Sequence, residues 1–256
     1  SNFTTSYIDD FSNLFYDCTS LEYIDLSNFK GSEVMNRMDY MFNNCNKLEY
    51  INLYNLDLTY TTNISYIFNG CSSLKNITII NINESIIEDY SYMFNNCTSL
   101  KYIDLSNFKG SNVTNRMDYI FNNCNNLLSI NLLNFDTSLT SDFSYMFNNC
   151  SSIVELNLSY FISPNIINNM ENIFNNCDNL KIIDFSNLDI SKTINSNKIF
   201  NGCNNLEKLI LTNIIADYTS DFSYMFSNLT NLKTIDLTNF NGSLINNTME
   251  GMFYNC

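Results

Sequence analysis

The chain has 256 residues, of which 45% are hydrophobic, with a formal net charge of −14, nine cysteines, six glycines, one proline and no histidine. The acidic balance and the lack of any Lys/Arg run exclude a nucleic-acid partner, because phosphate contacts need clustered basic side chains. No run of about 18 apolar residues occurs, so no membrane insertion by this segment is expected.

In chain order, the first recognisable signal is a Phe three residues before a Cys, at Phe15/Cys18. It returns at Phe42/Cys45, Phe68/Cys71, Phe94/Cys97, Phe121/Cys124, Phe147/Cys150, Phe174/Cys177, Phe200/Cys203 and Phe253/Cys256, with Leu229 replacing Cys after Phe226. The spacing is 26 or 27 residues. A period in that range marks a stacked array in which each unit buries its apolar face against its neighbours. Residues 1–256 are therefore expected to form a single solenoid of about ten repeats.

Within one unit, Met117, Ile120, Phe121 and Cys124 fall at i, i+3, i+4 and i+7, which predicts two turns of α or 3₁₀ helix. Asn122 and Asn123 then release the chain into a turn. Leu127, Ile130 and Leu132 follow in strand-like alternation. The triplet recurs as Leu21/Ile24/Leu26, Leu48/Ile51/Leu53, Leu74/Ile77/Ile79 and Leu100/Ile103/Leu105. It continues as Ile153/Leu156/Leu158, Leu180/Ile183/Phe185, Leu206/Leu209/Leu211 and Leu232/Ile235/Leu237. This LxxLxL pattern predicts a right-handed leucine-rich-repeat array of α/β solenoid type. Its strands form a parallel β-sheet face, with short helical or 3-10 turns on the opposite face.

Asn28, Asn55, Asn81, Asn107, Asn134, Asn187, Asn213 and Asn239 each stand two residues beyond the strand triplet, where stacked amides can form a ladder. A longer period overlies the short one: residues 18–55 closely match 97–134, so three units were duplicated together. The least regular stretches are 154–170, which holds Pro164, and 192–199, where Ser196 takes an apolar place. Local loop accommodation accounts for both.

The cysteine column Cys18, Cys45, Cys71, Cys97, Cys124, Cys150, Cys177, Cys203 and Cys256 is expected to be a structural ladder of buried, reduced thiols, since Leu229 fills the same place. No CxxC pair occurs, and metal-ligand spacings are missing. Without His, the commonest general base is lacking, and a buried Cys is a poor nucleophile. No catalytic residue, metal site or cofactor is assigned, and the chain is not expected to be an enzyme.

The outward side chains of the strands are the candidate ligand-binding residues: Tyr23, Asp25, Tyr50, Asn52, Tyr54, Tyr102, Asp104, Asn131, Glu155, Asn157, Asp184 and Asp236. Tyr among adaptable polar neighbours suits recognition of a protein or glycan ligand. An ordinary solvated sheet face is the plain alternative. Calcium on the Asp column is a weaker reading, because Asn, Thr and Ile interrupt it.

The string MFNNCTSLKYIDLSNFKGSNVT at 93–114, followed by MDYIF at 117–121, resembles the BspA-like leucine-rich-repeat surface proteins. The likeness runs over essentially the whole chain. It implies an extracellular or cell-surface location and a role in adhesion to host proteins, other cells or matrix. Two other roles stay open: a structural filament or sheath subunit, and an intracellular protein-interaction scaffold. Neither end shows a polar capping unit, so the chain is expected to be part of a longer array or to self-associate end to end.

Overall fold

The computed structural model describes residues 7–27, 29, 33–80, 83–84, 86–108, 111–133, 135–158, 169–184, 193–211, 218–238, 240 and 248–256. The apolar alternation around each central Ile or Leu produces short strands one coil apart. Tyr23–Asp25 pairs with Tyr50–Asn52, which pairs with Asn76–Thr78, all parallel. Tyr102–Asp104 pairs with Ser129–Asn131. Glu155–Leu156, Ile182–Asp184, Lys208–Ile210 and Thr234–Asp236 form a four-stranded run. The register sets Ile24 beside Ile51 beside Ile77, so each repeat stacks like upon like. The chain is a parallel-strand β-solenoid with leucine-rich-repeat-like coils.

A second column of parallel bridges runs along another side of the coils. It passes in order through Asp10, Arg37, Asn63, Asp89, Arg116, Asp142, Asn169, Asn195, Asp221 and Thr248. Between the two columns the core is filled by ladders of identical side chains. Phe15, Phe42, Phe68, Phe94, Phe121, Phe147, Phe174, Phe200, Phe226 and Phe253 stack in sequence, neighbouring centroids lying 5.0 to 6.1 Å apart. Stacking of this kind adds to the free energy of area burial.

The predicted helical or 3-10 turns are not present: no helix occurs among the described residues. Met117, Ile120, Phe121 and Cys124 are buried as the spacing requires, but a different backbone buries them. Tyr119 and Asn123 have φ of 59° and 61°, in the left-handed region that interrupts any right-handed helix. The N–H groups of Met117, Tyr119, Phe121 and Asn123 leave the segment and donate to the carbonyls of Asp142, Ser144, Met146 and Asn148 in the next coil, at 2.9 to 3.0 Å. Those of Asn122 and Cys124 close tight turns on Tyr119 and Phe121. The segment is thus a chain of turns whose alternate donors serve the neighbouring coil.

The two left-handed positions recur in each coil. The second is held by Asp17, Asn44, Gly70, Asn96, Asn123, Asn149, Asn176, Gly202, Asn228 and Asn255, all residue types that tolerate this conformation. The first is held mainly by tyrosine: Tyr40, Tyr66, Tyr92, Tyr119, Tyr145 and Tyr224.

Of the asparagines expected to form a ladder beyond the strands, Asn55 and Asn107 are described. Asn28, Asn81, Asn134, Asn187, Asn213 and Asn239 lie outside the described residues, as do Pro164 and its flanks. Ser196 is described and is fully buried.

Candidate functional site

The strand residues project as the pleat requires, the central Ile inward and its neighbours outward. Tyr23 and Tyr50 stack on the sheet face at 5.4 Å with their rings 4° from parallel. Tyr23, Tyr54, Ile80 and Tyr102 are exposed, and the Tyr50 hydroxyl lies 3.1 Å from the Thr78 hydroxyl. Glu155, Asn157 and Asp236 are exposed on the later strands, and Asn131 is half-buried. The backbone of Asp184 belongs to its strand, while its side chain lies outside the described residues.

The Asp/Asn column on this face has a local structural duty. Asp25 accepts the Ser27 backbone N–H at 2.8 Å, Asn52 that of Tyr54 at 3.1 Å, and Asp104 that of Ser106 at 2.8 Å. Asn131 and Asp236 receive Leu133 and Thr238 in the same way. Each side chain caps the end of its strand in an Asx turn. The Ser27 bonds hold the Asp25 carboxyl below its ordinary range. Burial pushes Asp104 up, but the bonds from Ser106 outweigh it and leave that group lowered too. These oxygens are already engaged, and among the described residues no group of three or more His, Cys, Asp or Glu side chains is placed to hold a metal ion.

The cysteine column is buried from Cys45 to Cys203, half-buried at Cys18 and exposed at Cys256, and every thiol is free. Each of Cys45, Cys71, Cys97, Cys124, Cys150, Cys177 and Cys203 donates its S–H to the carbonyl of the Phe in the preceding coil, at 3.0 to 3.2 Å. Burial pushes Cys45 up to about 11, and Cys124 and Cys203 up to about 12, so these three thiols stay protonated near neutral pH.

Three further ladders escape sequence reasoning. Tyr40, Tyr66, Tyr92, Tyr119 and Tyr145 form a half-buried stack with centroids 4.3 to 4.6 Å apart. Burial, then the neighbouring tyrosine, pushes Tyr92 and Tyr119 up to about 12. Asn43, Asn69, Asn95, Asn122, Asn148, Asn175 and Asn201 form an inner amide ladder, each side-chain amide donating to the preceding carboxamide oxygen at 2.6 to 2.9 Å. An outer ladder links Asn96, Asn123, Asn149 and Asn176 at 2.7 to 2.9 Å. The frequent recurrence of Tyr two residues before the Phe, at Tyr40, Tyr66, Tyr92, Tyr119, Tyr145 and Tyr224, and of Asn one and two residues after it, as at Asn122 and Asn123, was the available signal. Its meaning was hidden by the helical reading of the same segment.

An ion pair with one buried partner sits on the second bridge column. Arg116 meets Asp118 at 3.0 Å, and the Asp118 carboxylate is almost fully buried. Burial, then the nearby Asp142, pushes Asp118 up to about 6 despite the guanidinium, which pulls the other way. Arg37 and Asp39 repeat this pair at 2.8 Å.

Stacked coils, parallel bridges and in-register ladders define a β-solenoid of the leucine-rich-repeat kind. The chain belongs to the family described as "Mycoplasma protein of unknown function, DUF285", whose model matches residues 1–102, 62–168 and 168–256. No curated protein matches it. Among solved structures, it is similar to a leucine rich cell surface protein from Faecalibacterium prausnitzii, at 15% identity over 84% of this chain and 82% of that one, with a TM-score of 0.34. It is also similar to a leucine-rich repeat protein from Bacteroides ovatus, at 18% identity over 89% of this chain and 75% of that one, with a TM-score of 0.27. Among the described residues no helix is long and apolar enough to cross a membrane.

Proposed function

We propose that this chain is a non-catalytic ligand-binding module of the cell surface or extracellular space, and that its sheet face takes a protein partner in adhesion. The observation that carries this reading is the exposed strip of Tyr23, Tyr54, Ile80 and Tyr102, with Tyr50 stacked between the first two coils. Tyrosine offers large contact area with little rotamer entropy to lose, and it is enriched at protein interfaces. The strip stands on strands whose backbone groups are paired from coil to coil, so the surface is ordered before binding. The acidic side chains of this column serve as strand caps, which leaves recognition to the aromatic and aliphatic groups.

The test is a pull-down of surface and matrix proteins with the intact chain and with Tyr23, Tyr50, Tyr54 and Tyr102 all changed to Ser. Capture of a defined protein that the quadruple variant fails to hold supports the reading. Equal capture by both chains removes the tyrosine strip from consideration.

A further inference from the structure

A polar groove of about 360 Å³ opens along the turn segments, lined by Asn123, Asn125, Asn149, Ser151, Asn176 and Asp178. It shares no residue with the sheet-face strip. One wall is the outer asparagine ladder. Asn149 donates to Asn123 at 2.7 Å and Asn176 donates to Asn149 at 2.9 Å. The ladder runs unbroken from Asn96 to Asn176, and Gly70 and Gly202 occupy the same place in the coils on either side. The other wall is the column just past the cysteines. There Ser151 donates to the Asn125 carbonyl at 3.4 Å, and Asp178 accepts the Asn204 side-chain amide at 3.0 Å.

We infer that this groove is a second binding site, built for a neutral glycan chain lying across successive coils. A carboxamide carries two N–H donors and two acceptor lone pairs, and the ladder occupies one donor of Asn123, Asn149 and Asn176 and one lone pair of Asn123 and Asn149. The remainder faces the groove at the coil spacing of about 4.8 Å. Because Asn123 and Asn149 are each fixed by the rungs before and after them, their orientation costs no further entropy on binding. Sugar hydroxyls both donate and accept, so a polyhydroxyl chain can answer both halves of every rung. The lining holds no aromatic or aliphatic side chain, and a peptide would find no pocket for an apolar anchor. Asp178 and the net charge of −14 repel anionic polymers.

The experiment follows the side-chain amide resonances of the intact chain while neutral hexasaccharides of glucose, mannose or N-acetylglucosamine are added. An oligogalacturonate of equal length is the anionic counterpart. The Asn123, Asn149 and Asn176 amides are expected to shift saturably with at least one neutral oligosaccharide and to stay fixed with the anion. Asn149→Gly keeps the left-handed backbone that Gly70 and Gly202 adopt naturally, and it should weaken binding about tenfold by removing one rung's hydrogen bonds. Asn44→Gly, outside the groove, should bind as the parent does. Asn125→Ala, on the opposite wall, should weaken binding too and decides the matter if Asn149→Gly does not fold. The proposal is overturned if no neutral oligosaccharide moves these amides at millimolar concentration, or if the folded groove variants bind like the parent.

Discussion

Cys124 is fully buried and donates its S–H to the Phe94 carbonyl at 3.0 Å, so it acts both as a small apolar side chain and as a hydrogen-bond donor. Cys124→Ala leaves a void and removes that donor, and it is expected to cost about 1–3 kcal/mol in denaturant unfolding. Cys124→Leu should be milder, as Leu229 fills the same column. Folded chain should react slowly with a thiol reagent at neutral pH from Cys45 to Cys203, because burial raises these thiols, and denaturation should expose all nine. Gly70 makes a different point. Its φ is +74°, and an added Cβ would lie 2.6 Å from the Asn44 side-chain oxygen. Gly70→Ala is expected to cost about 1–2 kcal/mol. Gly70→Asn should cost less, because a carboxamide there can donate to that oxygen as Asn123 does to Asn96.

The tyrosine ladder belongs to the turn segment as an element. A tyrosine at positive φ carries backbone strain, which its stacking must offset. Asn13 and Asn172 hold the same position in other coils, so Tyr92→Asn tests the balance. It removes two stacked pairs, each contributing about 0.5–1.5 kcal/mol, and relieves roughly 1 kcal/mol of strain. A net loss of about 1 kcal/mol, with a weaker near-ultraviolet circular dichroism band, is the expected result. Tyr92 and Tyr119 are raised to about 12, so the folded state favours their neutral forms. Their contribution is complete below about pH 10, the ordinary tyrosine value, and is lost as pH rises toward the folded value. A titration followed by phenolate absorbance should show them ionising together with unfolding.

At the scale of the molecule, the buried apolar side chains of the described residues form one core cluster that runs from Phe11 to Met252. The capping carboxylates Asp10, Asp25, Asp104, Asp221 and Asp236 are all lowered and are spread from the first coils to the last. A lowered carboxyl gives stability that is present above its unfolded pKa and lost as pH falls through the folded one. Acid should therefore loosen the whole array below the ordinary carboxylate range rather than one end of it. Asp118 has the opposite sign. Raised to about 6, it favours its protonated form in the fold, and its contribution declines as pH rises from about 4 to 6. Unfolding midpoints across that interval should fall more for the parent chain than for Asp118→Asn.

The period, the inward Phe, Cys and Leu columns and the parallel sheet were legible in the amino-acid order, because side chains 26 or 27 residues apart stack on their own kind. The outward Tyr23, Tyr50 and Tyr102 were legible for the same reason, since strand alternation alone sets their side. The backbone between Met117 and Cys124 was not. Apolar residues at i, i+3, i+4 and i+7 suit a helix and a run of tight turns equally well. The choice rests on carbonyls of the next coil, which accept from Met117, Tyr119, Phe121 and Asn123, and those acceptors exist only once the coils are stacked. From that single choice came the left-handed tyrosines, the two amide ladders and the groove beside Asn149. Periodic burial is a property of the chain, whereas the destination of each N–H is a property of the stack.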